Sequence, residues 1–435
     1  MNDLRLITDF AERYIRSKNI GEVHPFELRS FALEAAMAGY TFYGKYIKEP
    51  VYKKSPVKAT VTCEGLVYGV SGFAEALRNV AYYLDKSKVN VAVDAHDKAG
   101  ADNIDIIATK KGKVINNLSG IQYTGDKKIR IIMTTPGGVR RKDPNEYTIA
   151  YIMFETIDFP KNFIRNLKQH CDEIWTPSQF NVDNIKRAGW HKPIFKMPLG
   201  VDTKRFNPAT VKPLDFTESE IGYFTGKFKF LSIMGWSERK GVKLLMEAYL
   251  REFSSKDNVV LYIKGGWHDQ NKALREMLMI KRKVNKKDSP MIYLDFHIYP
   301  DEMLPRLYKT ANAFVLPSRG EGWGLNYTEA MSMELPTIGT YATSMLDFMN
   351  SNNSFPVICD EPKKEPDCDW VTPDYIGRKF ANPSLKDLRD EMRRVFNHPN
   401  MAKLIGWEAR IDMKEKFSWE LAAENWIKRL ETLSI

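Results

Sequence analysis

Short apolar runs alternate with amphipathic stretches through most of the chain, and this pattern predicts β-strands joined by helices. In the first half, strands are predicted at residues 59–63, 89–93, 130–134, 149–154 and 173–176. A second series is predicted at residues 230–234, 259–264, 291–295, 313–316 and 336–339. Strands that alternate with helices favour a mostly parallel sheet with helices on both faces. The fold class predicted is therefore α/β, with two doubly wound, Rossmann-like domains.

The pattern differs at the beginning of the chain and near its middle. Residues 1–57 contain no glycine-rich loop and read as a helical N-terminal extension, which could pack on the domains, cover an acceptor or contact another subunit. A break at Pro198-Leu199-Gly200 separates a first domain, residues 58–200, from a second, residues 201–416. An amphipathic helix is predicted to end the chain at residues 417–433. The polar, proline-rich segment 350–381 is predicted to form a long loop.

Composition limits the classes of protein that fit. The 435 residues suggest two or three domains, and no apolar run reaches the ~18 residues of a membrane span. The N-terminus lacks the apolar core of a signal peptide, and the four cysteines show neither a metal-binding nor a disulfide pattern. We therefore expect a cytoplasmic protein. Seven dispersed histidines indicate no metal site, and Asp367-Cys368-Asp369 falls in a polar loop where a metal role is not expected.

The net charge of +10 raises the question of an anionic partner. Basic runs such as Arg140-Arg141-Lys142 fit an ordinary solvated surface, an anionic acceptor or peripheral contact with an anionic membrane. No helix-turn-helix, RNP or zinc motif accompanies the charge, so no nucleic-acid partner is expected.

The strongest candidate site is the stretch from Ala313 to Thr340. A buried strand is followed by a loop with three glycines and then by a helix at about residues 326–333, with Glu321 in the loop and Glu329 early in the helix. The N–H groups at the start of such a helix can hold phosphates, and glycine lets the ligand approach the backbone. Each carboxylate can accept hydrogen bonds from sugar hydroxyls. This layout suits a nucleotide sugar, a pyrophosphate with hydroxyls at both ends.

Three other places could line the same site. Arg239 and Lys240 follow the first strand of the second domain, at the sheet edge where ligands of α/β proteins bind. The loop Gly69–Gly72, with Ser71 and Gly72 at its end, is a second phosphate-cradle candidate, although a plain turn is an equal alternative on spacing alone. Glu155 lies just past a predicted strand, and it could also be a simple capping carboxylate.

The run PSRGEGWGL followed by EAM resembles the E-x7-E signature of the retaining family-4 glycosyltransferases, the glycosyl transferases of group 1. The resemblance covers residues 58–433 and implies the GT-B fold, in which two Rossmann-like domains face each other across a cleft. It implies that the first domain binds an acceptor and the second a nucleotide-sugar donor. The break after residue 198 resembles the family's inter-domain linker, and in the family the terminal helix returns to the first domain.

The resemblance also implies roles for single residues. Glu321 would lie near the donor sugar, and Glu329 would hold the ribose. Glu155, in Phe-Glu-Thr where many members have histidine, would face the acceptor or the donor sugar. The remaining donor-binding candidates are the backbone of Gly322, Trp323, Gly324 and Leu325, the side chain of Asn326, the cations Arg239 and Lys240, and Ser71 with Gly72. The commoner family pattern has an arginine where this chain has Trp236, so Arg239 is expected to take that role.

The function predicted is transfer of a hexose from a UDP- or GDP-sugar to an acceptor hydroxyl, without a metal or other cofactor. Retention of the anomeric configuration and a front-face mechanism are implied by the resemblance. Saccharide, lipid and protein acceptors all remain open. Base selectivity is expected near residues 297–299. The alternatives are a non-catalytic nucleotide-sugar binding protein and a nucleotide-sugar epimerase or hydrolase on the same fold.

Overall fold

The computed structural model describes residues 57–69, 71–97, 109–121, 127–214, 224–266, 270–297, 299–300, 302–364 and 375–433. Residues 1–56 of the predicted N-terminal extension and the Asp367-Cys368-Asp369 motif lie outside these ranges. None of the described helices is long and apolar enough to cross a membrane.

The first domain is built on a six-stranded parallel sheet with strand order β2-β1-β3-β4-β5-β6. Its strands are β1 Thr60–Gly65, β2 Asn90–Ala95, β3 Lys128–Met133, β4 Tyr147–Tyr151, β5 Glu173–Thr176 and β6 Ile194–Lys196. The helices between them are α1 Gly72–Lys86, α2 Lys110–Leu118, α3 Lys161–His170 and α4 Gln179–Arg187. Side chains on both faces of the central strands are buried, which explains why these strands read as continuous apolar runs.

The second domain repeats this plan with strand order β12-β11-β10-β7-β8-β9, again parallel throughout. Its strands are β7 Phe228–Met234, β8 Val259–Gly265, β9 Met291–Asp295, β10 Ala313–Leu316, β11 Thr337–Thr340 and β12 Phe355–Val357. The helices are α5 Val242–Glu252, α6 Gln270–Val284, α7 Met303–Thr310 and α8 Leu325–Ser332. Both predicted doubly wound sheets are therefore present.

The prediction of one long loop over residues 350–381 is wrong. Strand β12 extends the second sheet, and β13 Cys359–Lys364 pairs antiparallel with β14 Lys379–Pro383. Phe355 and Val357 of β12 are fully buried, whereas Pro356 between them made the run look like a loop. Proline is tolerated there because β12 is an edge strand, where one side needs no donor.

The chain ends in helices α9 Leu385–Asn397, α10 Pro399–Lys416 and α11 Trp419–Leu433. Helix α11 packs on the first domain, where Arg429 forms an ion pair with the buried Glu173 and Trp419 stacks on Tyr83 at 6.3 Å between ring centroids. A Cβ on Gly200 would lie 2.3 Å from the backbone nitrogen of Trp419, so glycine permits the crossing of linker and terminal helix. These contacts attach helix α11 to the first domain.

Candidate active site

The candidate residues cluster where each sheet reverses its strand order. In the second domain, β7 continues to β8 on one side and has β10 on its other side. The loop after β7 carries Arg239 and Lys240, and the loop after β10 carries Glu321. In the first domain the corresponding strands are β1 and β3, and the loop after β1 leads to Ser71. Such reversal points leave a crevice at the carboxyl ends of the strands, which is where α/β sheets bind ligands.

Helix α8 begins directly after the glycine-rich loop. Gly324 at its N-cap has φ +102°, a left-handed conformation that side chains rarely adopt. The first N–H groups of the helix, those of Leu325 and Asn326, have no helical carbonyl to bond. They lie at the positive end of the helix dipole, an arrangement suited to a phosphate.

Glu321 joins the two cations of the neighbouring loop. Its Oε1 atom lies 2.6 Å from Lys240 Nζ, and its Oε2 atom lies 3.5 Å from Arg239 Nη1. Arg239 also donates to the backbone oxygen of Gly320 at 2.7 Å. The backbone N–H of Glu321 donates to the hydroxyl of Thr343 at 3.2 Å. Each carboxylate oxygen thus faces a cation, and the Thr343 hydroxyl fixes the backbone. Only 6% of Glu321 is exposed.

The buried ion pairs change the acidity of all three groups. Burial opposes ionisation of Glu321, but the charges of Lys240 and Arg239 outweigh it and lower the pKa of this carboxyl. Burial likewise opposes the charge of Arg239, yet Glu155 and Glu321 raise the pKa of its guanidinium. For Lys240, burial dominates and lowers the pKa of the ammonium group, although Glu321 partly offsets this effect. Of the two cations, Arg239 is therefore the one that holds its proton more firmly, and Lys240 is the one that loses it more easily.

Glu155 reaches the same cluster from the first domain. Its Oε1 atom lies 3.8 Å from Arg239 Nη1, and its Oε2 atom accepts a hydrogen bond from the hydroxyl of Tyr375. Only 7% of Glu155 is exposed. Two carboxylates and two cations thus balance each other at the junction of the domains.

The glycines of the loop permit close contact with the first domain. A Cβ on Gly320 would lie 2.1 Å from the backbone oxygen of Glu155, and one on Gly322 would lie 2.6 Å from the Cβ of Met153. Real Cβ atoms do not approach other atoms this closely, so glycine is needed at both positions. The glycine-rich loop of the second domain is therefore packed on residues 153–155 of the first.

The loop after β1 faces the start of α8. Three consecutive N–H groups, those of Val67, Tyr68 and Gly69, donate to the carboxylate of Asp97 and fix this loop. A Cβ built on Gly72 would lie 3.9 Å from the Cδ1 atom of Leu325. The hydroxyl of Ser71 accepts from the N–H of Ala74 and so caps α1. The structure thus brings Gly72 to the helix start, while the Ser71 side chain already has a structural use.

Glu329 and Asn326 occupy different sides of α8. Glu329 is 8% exposed and accepts a hydrogen bond from Tyr308 on α7 at 2.8 Å. The side-chain amide of Asn326 donates to the backbone oxygen of Ile233 at 2.6 Å, which links α8 to β7. Trp323 is buried against Phe348, so its backbone rather than its indole can face a ligand.

The region predicted for base recognition lies after β9. The carboxylate of Asp295 accepts from the hydroxyl of Tyr262 at 2.6 Å and from the backbone N–H of His297 at 2.9 Å. Burial would raise the pKa of Asp295, but these hydrogen bonds hold it below its usual value. The rings of His297 and Tyr299 stack at 6.4 Å, and the His297 side chain is 77% exposed. Two stacked aromatic rings thus follow β9, and the histidine ring is open to solvent.

Sequence reasoning missed three residues that hold this site together. Tyr308 binds Glu329, Thr343 binds the backbone of Glu321, and Tyr375 binds Glu155. None of them lies in a motif, and Tyr375 is 220 positions from its partner, so no local signal marked them.

Comparisons with known proteins agree with this architecture. Residues 226–364 match the family model described as glycosyl transferases group 1. A GDP-mannose-dependent phosphatidylinositol monomannoside mannosyltransferase of Corynebacterium glutamicum is 26% identical over 269 residues, which cover 60% of this chain and 62% of that protein. The chain spans less than two thirds of the curated relatives that it matches, down to 22% for a mannosyltransferase of Escherichia coli.

Two solved structures share the fold over most of the chain. Sucrose-phosphate synthase of Thermosynechococcus elongatus superimposes with a TM-score of 0.60 at 14% identity, covering 86% of this chain and 99% of that one. The Anabaena protein HepE, solved with UDP and glucose, gives a TM-score of 0.57 at 12% identity and covers 86% and 100% of the two chains. Residues 226–364 of the second domain are thus similar to the group 1 glycosyl transferases, and the two domains together have the GT-B fold.

Proposed function

We propose that the protein is a retaining glycosyltransferase that moves a hexose from a nucleoside-diphosphate sugar to an acceptor hydroxyl. The observation that carries the proposal is the cluster of Arg239, Lys240 and Glu321 beside the start of α8. It offers cations for a diphosphate and a carboxylate for sugar hydroxyls within one buried space. The family match to the second domain supports the same reading.

In the proposed complex, the diphosphate takes the place of Glu321 as the main partner of Lys240 and Arg239. The N–H groups from Gly322 to Leu325 meet the phosphates and sugar, Gly72 borders them from the first domain, and Glu329 binds the ribose hydroxyls. Glu321, released from Lys240, then accepts hydrogen bonds from the sugar. Ionised carboxylates suit this task because they only accept hydrogen bonds.

In this proposal, the protein accelerates the reaction by stabilising the leaving group. Charge grows on the diphosphate as its bond to the sugar breaks, and fixed cations in a water-poor site stabilise that charge. The acceptor hydroxyl attacks from the side on which the nucleotide leaves, and the departing phosphate takes its proton, so that the anomeric configuration is retained. Glu155 holds the acceptor or the donor sugar.

We further propose that the reaction needs no metal ion. In this proposal, Arg239 and Lys240, which lie together beside Glu321, supply the positive charge that a metal ion would otherwise bring to the diphosphate. Transfer that persists in excess EDTA would support this part of the proposal, and transfer abolished by EDTA and restored by Mg²⁺ would contradict it.

The relatives indicate where the search for the donor should begin. The Corynebacterium relative is named for GDP-mannose, and the Anabaena structure holds UDP. GDP-mannose is therefore the first donor to test and UDP-glucose the second. The acceptor class (saccharide, lipid or protein) is left to the assay.

The outer face of α6 supports the peripheral contact with an anionic membrane that the net charge suggests. Leu274, Leu278 and Met279 are 48%, 44% and 65% exposed, and Arg275 and Arg282 lie exposed on the same helix. Apolar side chains among cations fit the surface of an anionic bilayer. We expect the wild type to co-sediment with phosphatidylglycerol vesicles but not with phosphatidylcholine vesicles, and we expect Leu278→Glu to lose this binding. Equal sedimentation of the wild type and Leu278→Glu would contradict the contact.

The enzymatic proposal is tested with a donor labelled in the sugar. The protein is incubated with labelled GDP-mannose or UDP-glucose, with and without an acceptor panel, and the label is followed into product. Label in an acceptor-dependent product supports transfer. Free sugar that forms regardless of acceptor would favour a hydrolase, a changed sugar on the nucleotide would favour an epimerase, and binding without turnover would favour a binding protein. Heat-denatured protein serves as the inactive control.

A further inference from the structure

A short segment of the second domain fastens a loop of the first domain beside the candidate site. We call residues 375–379 and their partners, residues 154–158, the clasp. The backbone N–H of Ile157 donates to the oxygen of Lys379 at 2.9 Å, and Arg378 forms an ion pair of 2.8 Å with Asp158. These bonds join residues more than 200 positions apart in the sequence. The clasp therefore bonds the second domain to the first at this place.

The innermost contact of the clasp is the hydrogen bond from Tyr375 to Glu155. The Tyr375 ring packs against Phe154 at 5.4 Å and Phe380 at 5.7 Å, so its hydroxyl has a fixed direction. That hydroxyl donates to Oε2 of Glu155, while Oε1 of the same carboxylate faces Arg239. Two donors thus share Glu155, one from the clasp and one from the candidate phosphate site.

The clasp is also continuous with the glycine-rich loop. The N–H of Ala381 donates to the oxygen of Arg319 at 2.9 Å, and the N–H of Arg319 donates to the oxygen of Arg239 at 2.7 Å. A movement of the clasp would therefore act on the donor loop as well as on Glu155.

The charges explain what the tyrosine contributes. Glu155 and Glu321 neutralise Arg239 and Lys240, but a diphosphate brings further negative charge and would draw both cations to itself. Glu155 then needs another donor, because a buried carboxylate without partners is strongly disfavoured. A tyrosine hydroxyl supplies a hydrogen bond without adding a positive charge, so it does not compete with Arg239 or Lys240 for the phosphates.

We infer that Tyr375 is a positioning residue, which holds Glu155 towards the reacting sugar while Arg239 is engaged by the diphosphate. The inference rests on the proposed glycosyl transfer. It assigns to the clasp the task of presenting a first-domain carboxylate to a donor bound in the second domain. Closure of the two domains and alignment of Glu155 are then one event.

The test compares Tyr375→Phe with Tyr147→Phe in the full chain, using the labelled-sugar assay. Tyr375→Phe keeps the ring packing and removes only the hydroxyl. Tyr147→Phe likewise removes a hydroxyl that donates to a buried carboxylate, that of Glu173, which lies outside the clasp and the candidate site. We expect Tyr375→Phe to lower kcat by about 10- to 100-fold, the usual loss for a hydrogen bond to a charged group, with the donor KM nearly unchanged. Tyr147→Phe should stay within about threefold of the wild type. In a Glu155→Gln background, Tyr375→Phe should cause little further loss, because the two act as one unit.

Three results would overturn the inference: a wild-type kcat in Tyr375→Phe, an equal loss in Tyr147→Phe, or full additivity of Tyr375→Phe with Glu155→Gln. These differ from a failure of the proposed function. In that case the wild type itself would transfer no sugar to any acceptor, and the role assigned to Tyr375 would fall with it.

Discussion

Lys240 Nζ lies 2.6 Å from Glu321 Oε1, although the two residues are 81 positions apart. Each belongs to a loop that leaves one of two neighbouring strands, β7 and β10, at the point where the strand order reverses. Both side chains are largely buried, and the pKa of Glu321 is lowered by the pair whereas burial keeps the pKa of Lys240 below its usual value. An ion pair of this kind can exchange partners, because a diphosphate can replace the carboxylate on the cation.

Replacing Lys240 by methionine tests whether its charge acts on the ligand or only on Glu321. Loss of a preorganised donor to a developing negative charge should lower kcat/KM by about 10²–10³-fold. If the lysine served only to neutralise Glu321, then the double variant Lys240→Met/Glu321→Gln, which leaves no unpaired charge between these residues, should recover affinity for UDP and GDP, which lack the sugar that Glu321 is proposed to bind. We expect no recovery of this affinity in calorimetric titrations. Recovery to near the wild-type affinity would contradict a role for Lys240 on the diphosphate.

The lowered pKa of Lys240 predicts how nucleotide binding depends on pH. The charged ammonium form binds the diphosphate, so affinity is full below the pKa of Lys240 and declines as pH rises through it. Because burial sets this pKa below 10.5, the decline should begin at a lower pH than for an ordinary lysine. Calorimetric titrations with GDP or UDP between pH 7.5 and pH 10.5 measure it.

The matched control for this titration is Lys240→Arg, whose guanidinium remains charged throughout the range. Ionisation of the nucleotide base affects binding to the wild type and to Lys240→Arg equally. Only the difference in affinity between the two proteins therefore reports on residue 240. Parallel affinity curves for the two proteins would show that Lys240 is not the titrating contact.

Gly320→Ala tests the contact between the glycine-rich loop and the first domain. The new Cβ would lie 2.1 Å from the backbone oxygen of Glu155, which cannot move aside like a flexible side chain. We expect a fall in melting temperature and a loss of transfer activity of about tenfold or more, since small misplacements of reacting groups are costly. Gly120→Ala is the control, because a Cβ there meets nothing within 4 Å. Equal melting temperatures for the two variants would contradict the close packing of the domains at this loop.

Much of the fold could be predicted because its strands are short apolar runs bounded by turn residues. The predicted strands at Glu173–Thr176, Met291–Asp295 and Ala313–Leu316 have the bounds found in the structure. Strand β12 was missed because Pro356 interrupts a three-residue run. Its identity as a strand depends on pairing with β11, which is a tertiary property.

The candidate site was predictable only where its residues share a loop. Glu321 and Glu329 stand in one motif, and Arg239 and Lys240 follow a recognisable strand. The residues that bond to the candidate carboxylates lie in no motif. Tyr308 donates to Glu329 from another helix, and Tyr375 donates to Glu155 from the other domain. Such contacts follow from how the sheets and domains face each other, and no local pattern of the sequence encodes that arrangement.

The central claim, that this cleft binds a nucleoside diphosphate, is tested most directly by the melting temperature of the protein with UDP, GDP, ADP and TDP. A nucleotide at 100 times its dissociation constant should stabilise the wild type by about 2.7 kcal/mol. Glu329→Ala should weaken binding by about 1–3 kcal/mol and so reduce this shift, because ribose hydroxyls lose their acceptor. Tyr308→Phe, which removes one hydrogen-bond donor to Glu329 but keeps the carboxylate, should retain most of the shift. A shift with one nucleotide that Glu329→Ala reduces far more than Tyr308→Phe does is the predicted result, and no shift with any of the four would contradict the claim.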